Sequence, residues 1–331
     1  MSTDAVPAGP RTIIVTGATG RQGGGLVHAL SRANAAAVAA GGAAPWRIVG
    51  VSRAPAADTM AAAAAAGAEL QQADAMDRAS LDALLARNAP VYGFFAVTNP
   101  FSVRWSGGRP PKTDVAAEEK QGINMVDAAA AAGVAFFVLT SAAGARDTDC
   151  DVPTMVVKVK IEQHLAAAPA RMQWAVLAPG GFFENMTSPF AGLKQGVVPG
   201  LLKPGVQMQM VAAADVGALA AAVFAAGPAA WHGRRLEVAG DTLTAADMAA
   251  TLSALRGGEP WRVSTPPAWV FFLFIPAAVS TLKRFLEHKT SRVDVAACRA
   301  VLPELRDFRQ WAVSMGYQTH VFAAPSACAV A

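Results

Sequence analysis

The sequence predicts an α/β fold: a doubly wound parallel sheet with a smaller, mainly helical second lobe. Three observations carry this. Up to Pro179, short apolar runs alternate with stretches of helical spacing. The first of these runs leads straight into a glycine-rich loop and then a helix. After Pro179 the alternation breaks, and Gly, Pro, Met and Phe crowd residues 180–212. Regular alternation means parallel strands joined by helical crossovers that cover both faces of the sheet.

Each element has its own local reason. Residues 12–15, Thr-Ile-Ile-Val, form a short apolar run as expected of a strand buried on both faces. Residues 24–30 take helical spacing, and 46–52 form a second apolar strand. Asp58 is a fitting N-cap for a helix that runs through the alanine tract and stops at Gly67. The tract is strongly helical and carries no chemistry. A short strand at 69–74, a helix at 80–86 and a strand at 91–97 follow. A helix at 116–132 precedes strand five at 136–140, and a helix at 156–167 precedes strand six at 174–177. A helix at 215–225 and a strand at 235–239 are expected to return to the sheet. The resulting division is residues 10–178, joined again by 211–239, for the sheet domain. Residues 179–210 and 240–320 make the smaller lobe, at the carboxyl ends of the strands where ligands bind in such sheets. Residues 321–331 are expected to be a loosely ordered tail.

Composition narrows the function. With 331 residues, 53% hydrophobic and 16% charged, the chain can bury a large core and is not a disordered one. A net charge of +4 is too small and too scattered to argue for nucleic acid, but it suits an anionic ligand. Cys150, Cys298 and Cys328 are far apart and odd in number, so neither disulfide nor metal spacing is present. The first ten residues include Asp4 and lack a basic region and an apolar core, so no secretory signal is expected and a reducing, cytoplasmic setting is. The apolar run 268–275 ends at Pro276 after eight residues, whereas a membrane span needs about 20. It reads instead as a buried helix, a pocket wall or a contact between copies of the chain.

The chemistry starts at the glycine loop, Gly17-Ala18-Thr19-Gly20-Arg21-Gln22-Gly23. A strand, a glycine loop and a helix N-terminus together make an anion site, because the first turn of a helix presents N–H groups and the positive end of its dipole. One glycine makes the tight turn, one lets backbone approach phosphates, and one lets the helix pack closely. The Gly17-x-x-Gly20-x-x-Gly23 spacing is typical of extended and atypical short-chain dehydrogenase/reductase proteins. Strand two ends in Ser52-Arg53, where an acidic residue would bind ribose hydroxyls. Arg53 suits a 2′-phosphate, hence NADP(H), with Arg21 able to reach the same group. Asp74 stands ready for the adenine edge, or equally for a turn cap with Asp77. Thr98-Asn99-Pro100 closes strand four beside the expected nicotinamide path, and the loop 101–114, with Arg104, Trp105, Arg109 and Lys112, reads as a lid, a partner contact or a plain excursion.

The usual acid is missing. Ser141 follows strand five, where the superfamily keeps a catalytic serine, but only Tyr92 and Tyr317 are present and neither has a lysine four residues on. No Tyr-x-x-x-Lys exists, so the standard ketone-reducing machinery is absent. Lys158 and Lys160 are the lysine candidates, and Thr154, four residues before Lys158, cannot serve as a phenol acid. His28, His164, His232, His288 and His320 show no metal-ligand spacing, and no Ser-His-Asp arrangement is visible, so no metal is expected.

Together these segments resemble the NmrA-like family of atypical short-chain dehydrogenase/reductases. The matching pieces are residues 15–23, Arg53, Glu119-Lys120-Gln121-Gly122, Val126-Asp127-Ala128-Ala129 and residues 140–145. Lys158-x-x-x-Glu162, residues 179–185 and Ala214-Asp215-Val216-Gly217 complete them, over about residues 11–316. The resemblance implies a Rossmann-type domain, NADP(H) binding and a second lobe holding a substrate or partner cleft. It also implies that Lys158 lies near the nicotinamide ribose. Two functions are compatible with it. One is a reductase passing hydride from NADPH to a quinone-like or conjugated small molecule, with Lys158 orienting cofactor or acceptor and Phe182, Phe183, Trp269 and Phe271 stacking on it. The other is a non-catalytic NADPH/NADP redox sensor that regulates a protein partner.

Overall fold

The computed structural model describes residues 9–53, 58–100, 114–147, 149–187, 196–200, 202–264, 277–288 and 293–318. The first half of the chain alternates as its sequence requires: β1 (Arg11–Thr16), α1 (Arg21–Ala39), β2 (Trp46–Ser52), α2 (Asp58–Ala65), β3 (Glu69–Gln72), α3 (Arg78–Asn88), β4 (Gly93–Ala96), α4 (Val115–Ala131), β5 (Phe136–Thr140), α5 (Pro153–Ala166) and β6 (Gln173–Pro179). Then come β7 (Gly181–Phe182), a 3-10 turn (Phe183–Thr187), β8 (Val197–Pro199), β9 (Met208–Val211), α6 (Ala213–Ala226), α7 (Pro228–Trp231), β10 (Arg234–Val238) and β11 (Asp241–Leu243). The last described elements are α8 (Ala245–Leu255), β12 (Arg262–Ser264), α9 (Ala277–His288), α10 (Val295–Val301) and α11 (Phe308–Ser314). The apolar run 268–275 with Trp269 and Phe271, the loop 101–113 and the tail 319–331 lie outside the described residues.

The main sheet has seven strands in the order β10-β6-β5-β4-β1-β2-β3, and every neighbouring pair is parallel. Alternate side chains of each strand feed opposite faces. Ile13, Val15, Phe95, Phe136 and Val138 pack with α1 and α6 in one apolar cluster. Ile14, Phe94, Phe137, Leu139 and Val176 pack with α3, α4 and α5 in another. Phe94 and Phe137 stack at 5.3 Å on the second face, and Phe136 meets Phe224 of α6 edge-on at 5.7 Å on the first. This double winding is the predicted fold. The strand expected at 235–239 is β10, which adds to the sheet edge beside β6.

Outside this sheet the sequence said less. Two short sheets, β11-β9-β7 and β12-β8, use strands of two to four residues, too short to show an alternation. A third apolar cluster, including Phe183, Met248, Trp261, Phe308 and Trp311, binds them to α8 and α11. Helix starts also moved for local reasons. α5 begins at Pro153, whose missing N–H is harmless in a first turn. α3 begins at Arg78 because the Asp77 side chain accepts from Ala79 N. α6 begins at Ala213, whose N–H donates to the Glu184 carboxylate at 3.1 Å, a cap that comes from a distant part of the chain.

α1 and α6 touch backbone to backbone. A β-carbon on Gly217 would stand 2.2 Å from Leu26 N and 2.3 Å from Gln22 O, and one on Gly25 would stand 2.3 Å from Ala214 O. Alanine in place of a helical glycine normally adds about 1 kcal/mol of stability. Here the contact is rigid backbone, so the sign reverses. Gly217→Ala is expected to destabilise the protein by about 2 kcal/mol, read as a lower denaturation midpoint in urea. A midpoint at or above that of the native sequence would show that the two helices can separate freely.

Candidate functional site

The glycine loop joins the end of β1 to α1. Gly17 has φ +62, in the left-handed region that favours glycine, and its carbonyl accepts from Gly20 N at 2.8 Å to close the turn. Gly20 is the N-cap of α1 and has no side chain of its own with which to cap the helix. The first-turn N–H groups lack intrahelical partners, and the N-cap places no side-chain oxygen over them. A β-carbon on Gly23 would lie 2.3 Å from Gly17 O, so this glycine lets the helix sit down on the loop. The Thr16 hydroxyl donates to Phe95 O and accepts from Val97 N, both at 2.9 Å, which ties this loop to the end of β4.

Around the loop, Thr19 and Gln22 are half-buried, Arg21 is exposed, and Gln22 Oε1 is buried without a partner among the described residues. Arg53 is exposed just beyond β2, its carbonyl accepting from Gln72 Nε2. Asp74 takes the turn-cap role: its Oδ1 accepts from Met76 N at 2.9 Å, while its own N–H donates to Ser80 Oγ at 3.0 Å. A helix start with glycine at its N-cap, a turn that favours glycine, a buried acceptor with no partner among the described residues and a cation on the neighbouring strand fit a dinucleotide. Its phosphates need N–H donors, and its ribose and amide groups supply donors of their own.

The second half of the site stands at the end of β4. Lys158 Nζ, on α5, donates to Thr98 Oγ1 and pairs with Glu118 Oε1 of α4 at 2.8 Å, and Thr98 Oγ1 donates to the same carboxylate oxygen at 2.8 Å. Lys158 is 13% exposed and Glu118 is fully buried, with Oε2 unpartnered among the described residues. The Gln121 side chain brackets Asn99, its Oε1 accepting from Asn99 N and its Nε2 donating to Asn99 O, so the backbone just after Thr98 is held in place. The structure brings Thr98 and Lys158, both named from the sequence, together with Glu118, which was not named. The signal was present: Glu118, Gly122, Met125, Val126 and Ala129 follow helical spacing on one stripe of α4, and all are buried. A charge on an apolar stripe needs a partner.

Ser141 is drawn elsewhere. Its hydroxyl donates to Glu162, a residue 1% exposed that also takes Arg146 Nε at 2.6 Å and Arg235 Nε at 3.2 Å. Arg235 in turn pairs with Glu237, which accepts from Gly144 N. Lys158 and Glu162, four residues apart on α5, thus serve two separate networks. An open cleft of about 650 Å³ lies by Ala145, Arg146 and Cys150 and is faced by Val156 and Lys160; neither Thr98 nor Lys158 lines it. Among the described residues, no group of His, Cys, Asp and Glu is disposed to hold a metal, and no helix is long and apolar enough to cross a membrane.

The sheet order and the glycine loop define a Rossmann-type α/β protein. The sequence model of the NmrA-like family matches residues 10–282, and the chain belongs to that family. Solved structures share the fold at low identity. A triphenylmethane reductase of Citrobacter sp., complexed with NADP(H), is 18% identical over 92% of this chain and 99% of its own, with a TM-score of 0.66. An NADPH-dependent quinone oxidoreductase from Escherichia coli is 22% identical over 92% and 99%, TM-score 0.66. NmrA, a negative transcriptional regulator, in complex with NADP is 17% identical over 92% and 94%, TM-score 0.67.

The burial of Glu118 gives Lys158 a second duty. Lys158→Ala leaves a fully buried carboxylate without its counter-charge and is expected to cost about 3 kcal/mol of stability in urea unfolding. Adding Glu118→Gln removes that charge and is expected to recover most of the loss. Equal stability of Lys158→Ala and the native chain would mean that the pair carries no net energy.

Proposed function

We propose that this protein binds NADP(H) along the carboxyl edge of its sheet and reduces a quinone-like or conjugated small molecule. The observation that carries this is a lysine ammonium fixed at the end of β4, on the strand next to the one that feeds the glycine loop. The nicotinamide dinucleotide class is supported by structural neighbours solved with NADP(H), NADP or NAD. The preference for the 2′-phosphate form rests on Arg53, with Arg21 nearby in sequence at the helix start.

When bound, the dinucleotide supplies a hydride. The chain's own residues do the rest. The glycine loop and the start of α1 hold the phosphates. Lys158 keeps a fixed positive charge where an acceptor oxygen gains negative charge, which is electrostatic stabilisation by a preorganised group. A quinone-like acceptor spreads that charge over its own conjugated system, so the missing Tyr-x-x-x-Lys acid is less of a loss. The Ser141 hydroxyl, bound to Glu162, is left out of this chemistry. The smaller lobe, residues 179–210 and 240–320, supplies the acceptor side in this reading.

The second reading is a non-catalytic NADPH/NADP sensor for a protein partner. It is supported by the likeness to a transcriptional regulator and by the lack of a phenol acid. Turnover separates the two. Calorimetry with NADPH and NADH comes first, then NADPH oxidation against a panel of quinones and enones. Binding with turnover supports the reductase, binding without it supports the sensor, and binding of neither nucleotide removes both.

Two substitutions test the binding mode. Gly20 has φ −87, open to any residue, and aspartate is a favoured N-cap. Gly20→Asp is therefore expected to keep or slightly raise thermal stability while its carboxylate fills the anion site and NADPH affinity falls at least tenfold, about 1.4 kcal/mol. Retained affinity would move the phosphates away from this loop. Arg53→Asp is expected to shift preference toward NADH by about tenfold; an unchanged NADPH preference would transfer the 2′-phosphate role to Arg21.

A further inference from the structure

Glu118 is not needed to explain phosphate or ribose recognition, yet it is the most deeply committed charge in the site. It is fully buried in the first turns of α4, with Lys158 and Thr98 both on Oε1 and Oε2 unpartnered among the described residues. A half-satisfied buried ion pair is a poor stabilising device, since well-packed apolar residues of similar size hold a fold as well or better. The comparison inside this molecule is Glu162, equally buried, whose two oxygens together take a hydroxyl and two guanidinium groups. Glu162 is satisfied as a strut should be, and Glu118 is not.

The three-way geometry fixes one thing above all, the place of the Lys158 ammonium. The ammonium donates to Thr98 Oγ1 and stands 2.8 Å from Glu118 Oε1 as an ion pair. Glu118 and Thr98 come from different elements, so rotation of the flexible lysine stem is blocked on two sides. We propose that Glu118 is the positioning residue for Lys158, holding the ammonium by charge against Thr98 so that it meets the bound dinucleotide. This rests on the dinucleotide reading above for the group that Lys158 meets, but the pairing itself is testable without any ligand.

The test compares the native chain with Glu118→Gln, which keeps shape and loses charge, and Glu118→Asp, which keeps charge and loses reach. Native protein at pH 7.5 is treated with an amine-acylating reagent, and the labelling rate of each lysine is followed by peptide mass spectrometry. The reagent must reach the amine, and Lys158 Nζ is held between Thr98 and Glu118 with its side chain only 13% exposed. Lys158 is expected to label at least tenfold faster in Glu118→Gln and about threefold faster in Glu118→Asp. The exposed Lys160, paired with Glu119, serves as the unchanged reference. NADPH affinity by calorimetry is expected to fall in the same order.

Unchanged Lys158 labelling in Glu118→Gln overturns the proposal. Faster labelling with unchanged NADPH affinity makes the pair a strut and overturns it as well. If Glu118→Gln does not fold by circular dichroism, Glu118→Asp carries the test, and no rise in its labelling rate is again fatal. If the native chain binds no NADPH, the dinucleotide reading falls, while the labelling comparison still decides whether Glu118 holds Lys158.

Discussion

The close seat of α1 is the constraint on which the rest depends. For its N-terminus to face the loop after β1, the helix must approach that loop and the neighbouring helix at backbone distance, with no side chain between. Gly23 allows the first contact, on the carbonyl of Gly17, and Gly25 with Gly217 allows the second, on α6. Push α1 outward by the width of a methyl group and the turn at Gly17 no longer meets the helix start. The motif Ala214-Asp215-Val216-Gly217 is therefore an instrument of the glycine loop, although it lies far from it in sequence. Its aspartate holds the other side: Asp215 takes Arg306 in a two-pronged pair, Nη2 to Oδ1 at 2.6 Å and the Arg306 N–H to Oδ2 at 3.0 Å. α6 is thus clamped between the glycine loop and the C-terminal segment.

Buried carboxylates repeat this pattern of joining distant parts. Among the described residues the buried acids are Glu118, Glu162, Glu184 and Asp215, and each meets a group from another element. Glu184 caps α6, Asp215 anchors the segment after α10, and Glu162 draws together the ends of β5 and β10. Burying a charge is costly unless it is paired, so each pairing selects one arrangement of elements over others of similar apolar content. Of these pairings, those to Thr98 and Ser141 stand just past the carboxyl ends of β4 and β5.

Much of this was legible in the sequence, and the division follows a physical line. The strands β1, β2, β4, β5 and β6 are apolar enough on both faces to be read one by one. The turn at Gly17 and the seating of Gly23 follow from their places after a strand and in a first helical turn. The contact of Gly25 with Gly217 was not legible, because nothing local reports which helices will touch. Glu118 was hidden for a different reason: in Glu118-Glu119-Lys120 it looks like part of a solvated run, and only the helical stripe through Gly122 and Met125 separates it from its exposed neighbours. The hydrogen bond from Ser141 to Glu162 was not legible, since Glu162 arrives through tertiary folding. The short strands β7 to β9, β11 and β12 have too few residues to display any period at all.

The pairing of Lys158 with Glu118 also bears on how such a protein could change its trade. A lysine on an open surface can be lost by drift without harm to the fold once its chemistry is no longer wanted. Here the ammonium neutralises a carboxylate in the interior, so losing it alone strands a charge in the core. Conversion from a working reductase to a pure ligand reader would therefore proceed either with the lysine retained or through replacement of both partners. Two chains that share this scaffold and differ in function can look alike at Lys158 for reasons of folding, and the pair rather than the lysine is the unit to compare between them.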